Sequence, residues 1–281
     1  MTGFTYRAVD FIRAYRQVHG LTLETDIKKK IWKTWLCLAF PVQHAAKDNI
    51  ADIAGYKVKY CTRQSLLYLF RNIFINQEYL FASRRPNPFI VDCGSNIGMS
   101  VLYFKLVYPE ASILAFEPDE EAFACLEANV SANNLGSVKI NKKALSKNPG
   151  EVDFFYYPDN PGALSMSLSN QRAPGPSRKV VAVRLSDFLH REVDFLKMDI
   201  EGEETEVIEE IHSTGKLRFI EQMVIEYHHQ IPGTVPELSI MLALLEDARF
   251  GYQIGSILER PFKTGLFQDI MIYAYRKGGI S

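Results

Sequence analysis

Nothing in this 281-residue sequence pairs its cysteines, spans a bilayer or gives it a large net charge. The four cysteines (Cys37, Cys61, Cys93, Cys125) are scattered and form no CxxC unit. They read as reduced thiols of a cytoplasmic protein rather than a disulfide framework. The 32 Lys and Arg balance 33 Asp and Glu, so no basic face for a nucleic-acid partner is expected. Charges and aromatics interrupt every early apolar run, so no signal peptide is expected. The one membrane candidate, Ile31 to Val42, is too short to cross and contains Lys33. It reads as a core helix in preference to a peripheral membrane contact, so no integral membrane segment is expected. Internal repeats and low-complexity tracts are missing too. What remains, with 47% apolar residues, is an ordinary globular composition.

Also missing is the GxGxxG signature of a dinucleotide site. In its place stands Phe89-Ile90-Val91-Asp92-Cys93-Gly94-Ser95-Asn96-Ile97-Gly98. This reads as a buried strand entering a glycine-bearing turn and then a helix. Glu117 follows at the end of a second apolar run, Ile113 to Phe116, about 20 residues on, the layout by which a doubly wound domain holds a nucleoside. Asn96 sits where a middle glycine is usual, and Asn tolerates the left-handed region. Asp92 would repel a pyrophosphate at the helix N-terminus but suits a cationic amino acid. That combination points to S-adenosylmethionine (SAM) and away from NAD. Cys93 inside the turn reads as a small buried residue, not a nucleophile.

Around this motif the pattern predicts an α/β fold: a Rossmann-like, doubly wound, mainly parallel sheet closed by a terminal antiparallel hairpin, with a mainly helical N-terminal extension. Residues 1–85 form the extension, a candidate substrate cover; residues 86–281 form the SAM-binding domain. Helical spacing covers Phe4 to Phe40, ended by Pro41. A hairpin arm is expected over Ile53 to Tyr60 and a helix over Ser65 to Phe81. Strands then alternate with helices from Phe89 onward, and Pro158 to Ser177 forms a long Pro/Gly/Ser-rich connection. Two last segments, Tyr252–Leu258 and Asp269–Tyr275, form the hairpin.

Ligands of such sheets lie beyond the carboxyl ends of the strands. Four of the five ends carry acids: Asp92, Glu117, Asp199 and Glu226; the third strand ends at Ala144. Asp119 is explained as an N-cap, and Glu203 and Glu204 as first-turn carboxylates favoured by the helix dipole. Asp199 is harder to explain structurally, because an acid ending an apolar strand is costly unless used or paired. His228 and His229 point opposite ways in extended chain, so at most one faces the site, and His228 is preferred.

Five blocks, Asp92–Gly98, Phe116–Asp119, Ala144–Ser146, Phe195–Glu204 and Ile225–His228, together resemble the FkbM-type methyltransferases. The resemblance covers about residues 53 to 275, and its most specific part is the Asp-x-Glu-Gly-x-Glu block after an apolar strand. It implies a class I SAM-dependent O-methyltransferase acting on a hydroxyl of a sugar or of a glycosylated or polyketide metabolite. It further implies that Asp92, Gly94, Ser95, Asn96 and Gly98 hold the methionine part and Glu117 with Pro118 the ribose. Ala144 would flank the adenine, and Asp199 would lie at methyl transfer. The candidate catalytic residues are Asp199, His228 and Glu226. Either Asp199 or His228 serves as base: histidine has the better-placed ordinary pKa, Asp199 the family position. No metal is assigned, although Asp199, Glu201 and Glu226 could bind Mg²⁺. The partner is a small-molecule or glycan acceptor, with a homo-oligomer left open. A noncatalytic SAM-fold binding protein and a nicotinamide-dependent enzyme are the alternatives.

Overall fold

The computed structural model describes residues 3–39, 49–256 and 267–278. Its centre is a seven-stranded sheet that follows from where the apolar runs fall. Strands β3 (Phe89–Cys93), β4 (Ser112–Phe116) and β9 (Val193–Met198) are buried almost throughout, and β10 (Ile220–His229) over six of its ten residues. Buried on both faces, such strands pair in parallel, and alternate residues feed two cores. Ile90, Ile113, Phe195 and Val224 face one side; Val91, Leu114, Leu196 and Ile225 face the other. Helices α4 (Met99–Val107) and α5 (Glu120–Ala132) cover the first face, α6 (Glu204–Ser213) and α7 (Leu238–Asp247) the second.

With β5 (Val138–Asn141), β11 (Phe250–Ser256) and β12 (Gln268–Arg276), the sheet order is β11-β12-β10-β9-β3-β4-β5. The chain runs outward from β3 through β4 to β5, then returns to β9 and runs the other way. The reversal between β3 and β9 is the switch point where such sheets bind ligands. The expected closing hairpin is present: β12 is antiparallel to both β11 and β10. The result is a doubly wound, mainly parallel α/β sheet closed by an antiparallel hairpin.

Several elements differ from expectation. The first helical stretch is two helices, α1 (Gly3–Gly20) and α2 (Thr25–Ala39). Gly20 ends the first, and the chain turns back so that Phe11 meets Trp32 and Trp35 edge-on, at 5.2 and 5.9 Å. Pro41, expected to close this region, lies outside the described residues. The hairpin is β1 (Ile50–Ile53) and β2 (Tyr56–Lys59). The helix expected to run to Phe81 is shorter: α3 (Arg63–Leu69), capped by Thr62, widens into a π-helical turn over Phe70–Ile75. The segment expected as one strand to Ala144 divides after Asn141. Its end, β6 (Ala144–Leu145), joins a separate three-stranded sheet with β7 (Gly150–Phe155) and β8 (Ser177–Val183). The N-terminal elements share the first core: Val18, Ile31, Ile53 and Phe74 belong to one apolar cluster with Leu102 and Phe195. Among the described residues no helix is long and apolar enough to cross a membrane.

The sheet holds one residue that its apolar pattern does not lead one to expect. Lys197 lies inside β9, only 2% exposed, and its register partner on β3 is Asp92, which is fully buried. Its Nζ lies 3.6 Å from Asp92 Oδ1 and 3.4 Å from Asp199 Oδ2, and it donates to the carbonyls of Cys93 and Gly94. Burial works against this charge, but Asp199 and Asp92 outweigh it and raise the lysine's pKa. Replacing Lys197 by Met keeps the volume and orphans Asp92. Urea unfolding should then show a loss of about 3–5 kcal/mol, partly restored by adding Asp92→Asn. A single variant as stable as the parent would mean the pair contributes nothing.

Candidate active site

A cavity of about 170 Å³ opens at the carboxyl ends of β3, β4, β9 and β10. Its floor is the turn after β3, where Gly94 (φ 83°), Asn96 (φ 46°) and Gly98 (φ 87°) all take left-handed backbone. Gly94 is obligatory for a second reason: a Cβ there would lie 1.8 Å from the Asp199 carbonyl oxygen. The turn is tied to the next strand by Gly94 and Ser95 N–H groups donating to Phe116 O.

Glu117 locks this corner. Its Oε2 accepts the Asn96 N–H at 2.7 Å and its Oε1 the Asp119 N–H at 2.8 Å. Burial pushes its pKa up to about 8. Both oxygens thus have one backbone donor already, and each keeps a second lone pair toward the cavity it lines. Asn96 Oδ1 is buried there without a protein partner. Pro118 and Ala144 also line the cavity. Asp119 is the N-cap of α5, accepting from Ala122 N–H, and pairs with Arg178.

Two expected contacts are placed elsewhere. Asp92 is not on the cavity wall; it lies beneath the turn, accepting from Ser100 Oγ. The cation its charge called for is Lys197 of the chain itself. Gly98 sits behind the wall as the residue before α4, where a Cβ would meet Leu126 at 2.7 Å. Backbone conformation and helix packing both call for glycine there.

The opposite end is an ionisable cluster. Asp199, Glu201, Glu226 and His228 all line the cavity. His228 is 4% exposed, and its two nitrogens face different acids: Nδ1 is 2.9 Å from Glu204 Oε1, Nε2 3.1 Å from Glu201 Oε2 and 3.9 Å from Asp199 Oδ1. Burial disfavours the imidazolium, but Glu204 and Glu201 prevail and hold its pKa well above the ordinary value. Glu204, read from sequence as a first-turn carboxylate, has a larger part. Its Oε1 also accepts the Ile200 and Gly202 N–H groups, at 3.2 and 2.9 Å. One oxygen therefore gathers the left-handed turn at Glu201 (φ 58°) and Gly202 (φ 117°) and the histidine of the next strand. His229 is absent from the cavity wall and packs its ring against Tyr227.

Burial first, and Asp199 second, push Glu226 up to about 9. Asp269, placed opposite His228 by the register of β10 with β12, joins this end. Among the described residues, atoms suited to a cation fall into two sets sharing His228: Asp199 with Glu201, and Glu226 with Asp269. The three acids weighed for Mg²⁺ thus do not form one set. Besides Glu204 and Asp269, sequence reasoning passed over Lys197 and Arg172. Lys197 had a visible signal, a cation inside an apolar strand. Arg172 had none, because it reaches the site from a long loop, pairing with Glu201 and lying 4.4 Å over the Phe267 ring.

The outer wall comes from two segments. Tyr68, Leu69, Asn72 and Ile73 come from α3 and the π-helical turn, and Ala163 to Met166 with Leu168 from the 158–177 loop.

Comparison with known proteins gives a consistent result. The family model described as the methyltransferase FkbM domain matches residues 92–254, a span holding the β3 turn, Glu117, Asp199, Glu226 and His228. "Methyltransferase sdnD" of Sordaria araneosa is 31% identical over 215 residues, covering 65% of this chain and 81% of that protein. "31-O-demethyl-FK506 methyltransferase FkbM" of Streptomyces tacrolimicus is 27% identical over 221 residues, 67% of this chain and 84% of that one. "2-O-methyltransferase NoeI" of Sinorhizobium fredii (strain NBRC 101917 / NGR234) is 27% identical over 165 residues, 52% of this chain and 67% of it.

Glu226 generates a pH prediction. Its folded pKa, about 9, lies above the ordinary 4.5, so the folded state holds the proton more tightly. Its contribution to stability is present below about pH 4.5 and lost as pH rises toward 9. Glu226→Gln should therefore raise the melting temperature of the ligand-free protein more at pH 8 than at pH 5, by differential scanning fluorimetry. An equal shift at both values would show that Glu226 ionises freely in the fold.

Proposed function

Because the chain belongs to the FkbM methyltransferase family and is a methyltransferase, we propose that it uses SAM to methylate a hydroxyl oxygen. The acceptor is a small molecule: a sugar, or a glycosylated or polyketide metabolite. The observation that carries the SAM reading is the Glu117 corner, where an acid at the end of β4 is fixed to the β3 turn and still faces the cavity. The relatives whose printed names specify O-methylation support the hydroxyl. Family membership sets aside the nicotinamide alternative.

The residues present fit SAM. Asn96 Oδ1 is an acceptor without a partner beside the cavity, and Glu117 keeps lone pairs for ribose hydroxyls. Asp269 and Asp199 make the far end acidic, which suits a cationic sulfonium. SAM supplies an activated methyl at that sulfonium. Gly94, Ser95 and Asn96 would take the methionine part, Glu117 and Pro118 the ribose, and Ala144 the adenine side.

The chain's own work is alignment, water exclusion and proton removal. Alignment of reactants offers up to about 7–11 kcal/mol and a general base about 10²–10⁴-fold. Asp199 has the geometry for the base. Its carboxylate lies between Lys197 and His228, so its position is set by two charged neighbours. His228, held as an imidazolium, has no free lone pair with which to take a proton. It hydrogen-bonds Glu204 through Nδ1 and sets a positive charge beside Glu201 and Asp199. Glu226, carrying its proton near neutral pH, can donate a hydrogen bond to the acceptor. The α3 segment and the 158–177 loop would exclude water.

Two measurements test this assignment. Calorimetric titration of Glu117→Ala should show SAM affinity weakened by a few kcal/mol, since each buried hydrogen-bonding group left without its partner costs about 1–3 kcal/mol. Unchanged affinity in a folded variant would sink the ribose assignment. Labelled methyl transfer, screened first over sugars, glycolipids and macrolides, should fall about 10²-fold or more in Asp199→Asn with SAM affinity little changed. If Asp199→Asn turns over normally and His228→Ala is dead, histidine is the base. A folded protein that binds SAM yet methylates nothing in the panel would favour the binding-protein reading.

A further inference from the structure

The thiols of Cys61 and Cys125 lie 3.5 Å apart, although 64 residues separate them in sequence. Both are free in this structure. Cys61 follows the hairpin strand β2 and comes just before Thr62, the cap of α3; it is half-buried, and its Sγ also lies 3.7 Å from the Glu121 carbonyl oxygen. Cys125 is on α5, 5% exposed. Gly162 of the 158–177 loop is pressed onto the same point: a Cβ there would lie 2.6 Å from Cys61 Sγ. Three elements of the cavity wall therefore meet at one sulfur pair. Beyond Cys61 the chain enters α3 and its π-helical turn with Tyr68 and Asn72, α5 begins at the Asp119 corner, and the loop continues into Ala163–Met166.

We propose that Cys61 and Cys125 are a disulfide-forming modification site, oxidised by a peroxide, and that the bond clamps α3 and its π-helical turn to α5. In the first step a thiolate of the pair attacks one peroxide oxygen, giving a sulfenic acid and releasing hydroxide. In the second, the other thiol displaces that oxygen as the Sγ–Sγ bond forms. Overall, two thiols and one hydrogen peroxide give one disulfide and two waters. The hydrogen bond from Cys61 favours the thiolate at Cys125 against the effect of burial, with Lys59 adding to it. Neither of the other cysteines competes for the bond: Cys37 lies exposed on α2, and Cys93 is buried in β3 with its thiol pushed up by burial. The closed loop is long, so the bond restrains the unfolded chain strongly.

The test uses the full chain treated with hydrogen peroxide, then alkylated and mapped by mass spectrometry. A Cys37→Ser background prevents links between molecules. The expected product is a linked pair of peptides containing Cys61 and Cys125, two hydrogens lighter and restored by dithiothreitol. The oxidised protein should melt several degrees higher. Hydrogen exchange over residues 63–75 should slow severalfold, and Cys125→Ala should abolish both changes. If both thiols stay alkylatable, or oxidise further without linking, the site is refuted. A link that leaves exchange over 63–75 unchanged overturns the clamp.

Discussion

A single buried ammonium holds the centre of this protein together. Lys197 stands between Asp92, which has no access to water, and Asp199, which opens toward the cavity. These acids end adjacent parallel strands at the point where strand order reverses. Without a cation, their charges would repel across the seam that must pack most tightly, where Gly94 lies against the Asp199 carbonyl. Lys197 also donates to the Gly94 carbonyl and to that of Cys93, which accepts the Asp199 N–H as well. Charge, hydrogen bonds and backbone path at the floor of the site thus converge on one nitrogen. Buried pairs of this kind add little net stability over an apolar replacement, but removing one member is severe. The arrangement reads as a device for position.

Around that nitrogen the acids divide into two kinds. Glu117 and Glu204 are buried and bonded to backbone N–H groups, so they shape the turns after β3 and β9. Asp199, Glu201, Glu226 and Asp269 face the cavity and oppose one another. His228 stands between them, one nitrogen on each kind. The site therefore carries more negative charge than its own cations relieve, a state that a cationic ligand improves.

Much of this was legible in the sequence, and the failures have specific causes. Strand positions followed from apolar runs, since a strand buried on both faces must be apolar throughout. The cavity-facing acids followed from the rule that ligands lie beyond strand ends. The rule locates residues in the chain but not the direction of their side chains. Asp92 sits in the expected motif yet turns inward to Lys197, and Gly98 lies where a Cβ would run into Leu126. Glu204 was hidden by a sufficient local explanation, the helix dipole, that left no reason to look for His228 beside it. The division of the stretch ending at Ala144 followed from a neighbour, β8, that no local pattern reveals.

The place of β12 bears on how the molecule is made. This strand is late in sequence but lies inside the sheet, inserted between β10 and β11. During synthesis, β10 must wait with an open edge of backbone donors and acceptors until residues 268–276 emerge. Its pairing with β12 joins segments some 40 residues apart, a non-local step that is slow to form. His228 gains Asp269 as its opposite number only with that insertion. Nascent chains that stop short would carry most of the sheet and an adhesive edge, and they are the species for which a chaperone has work.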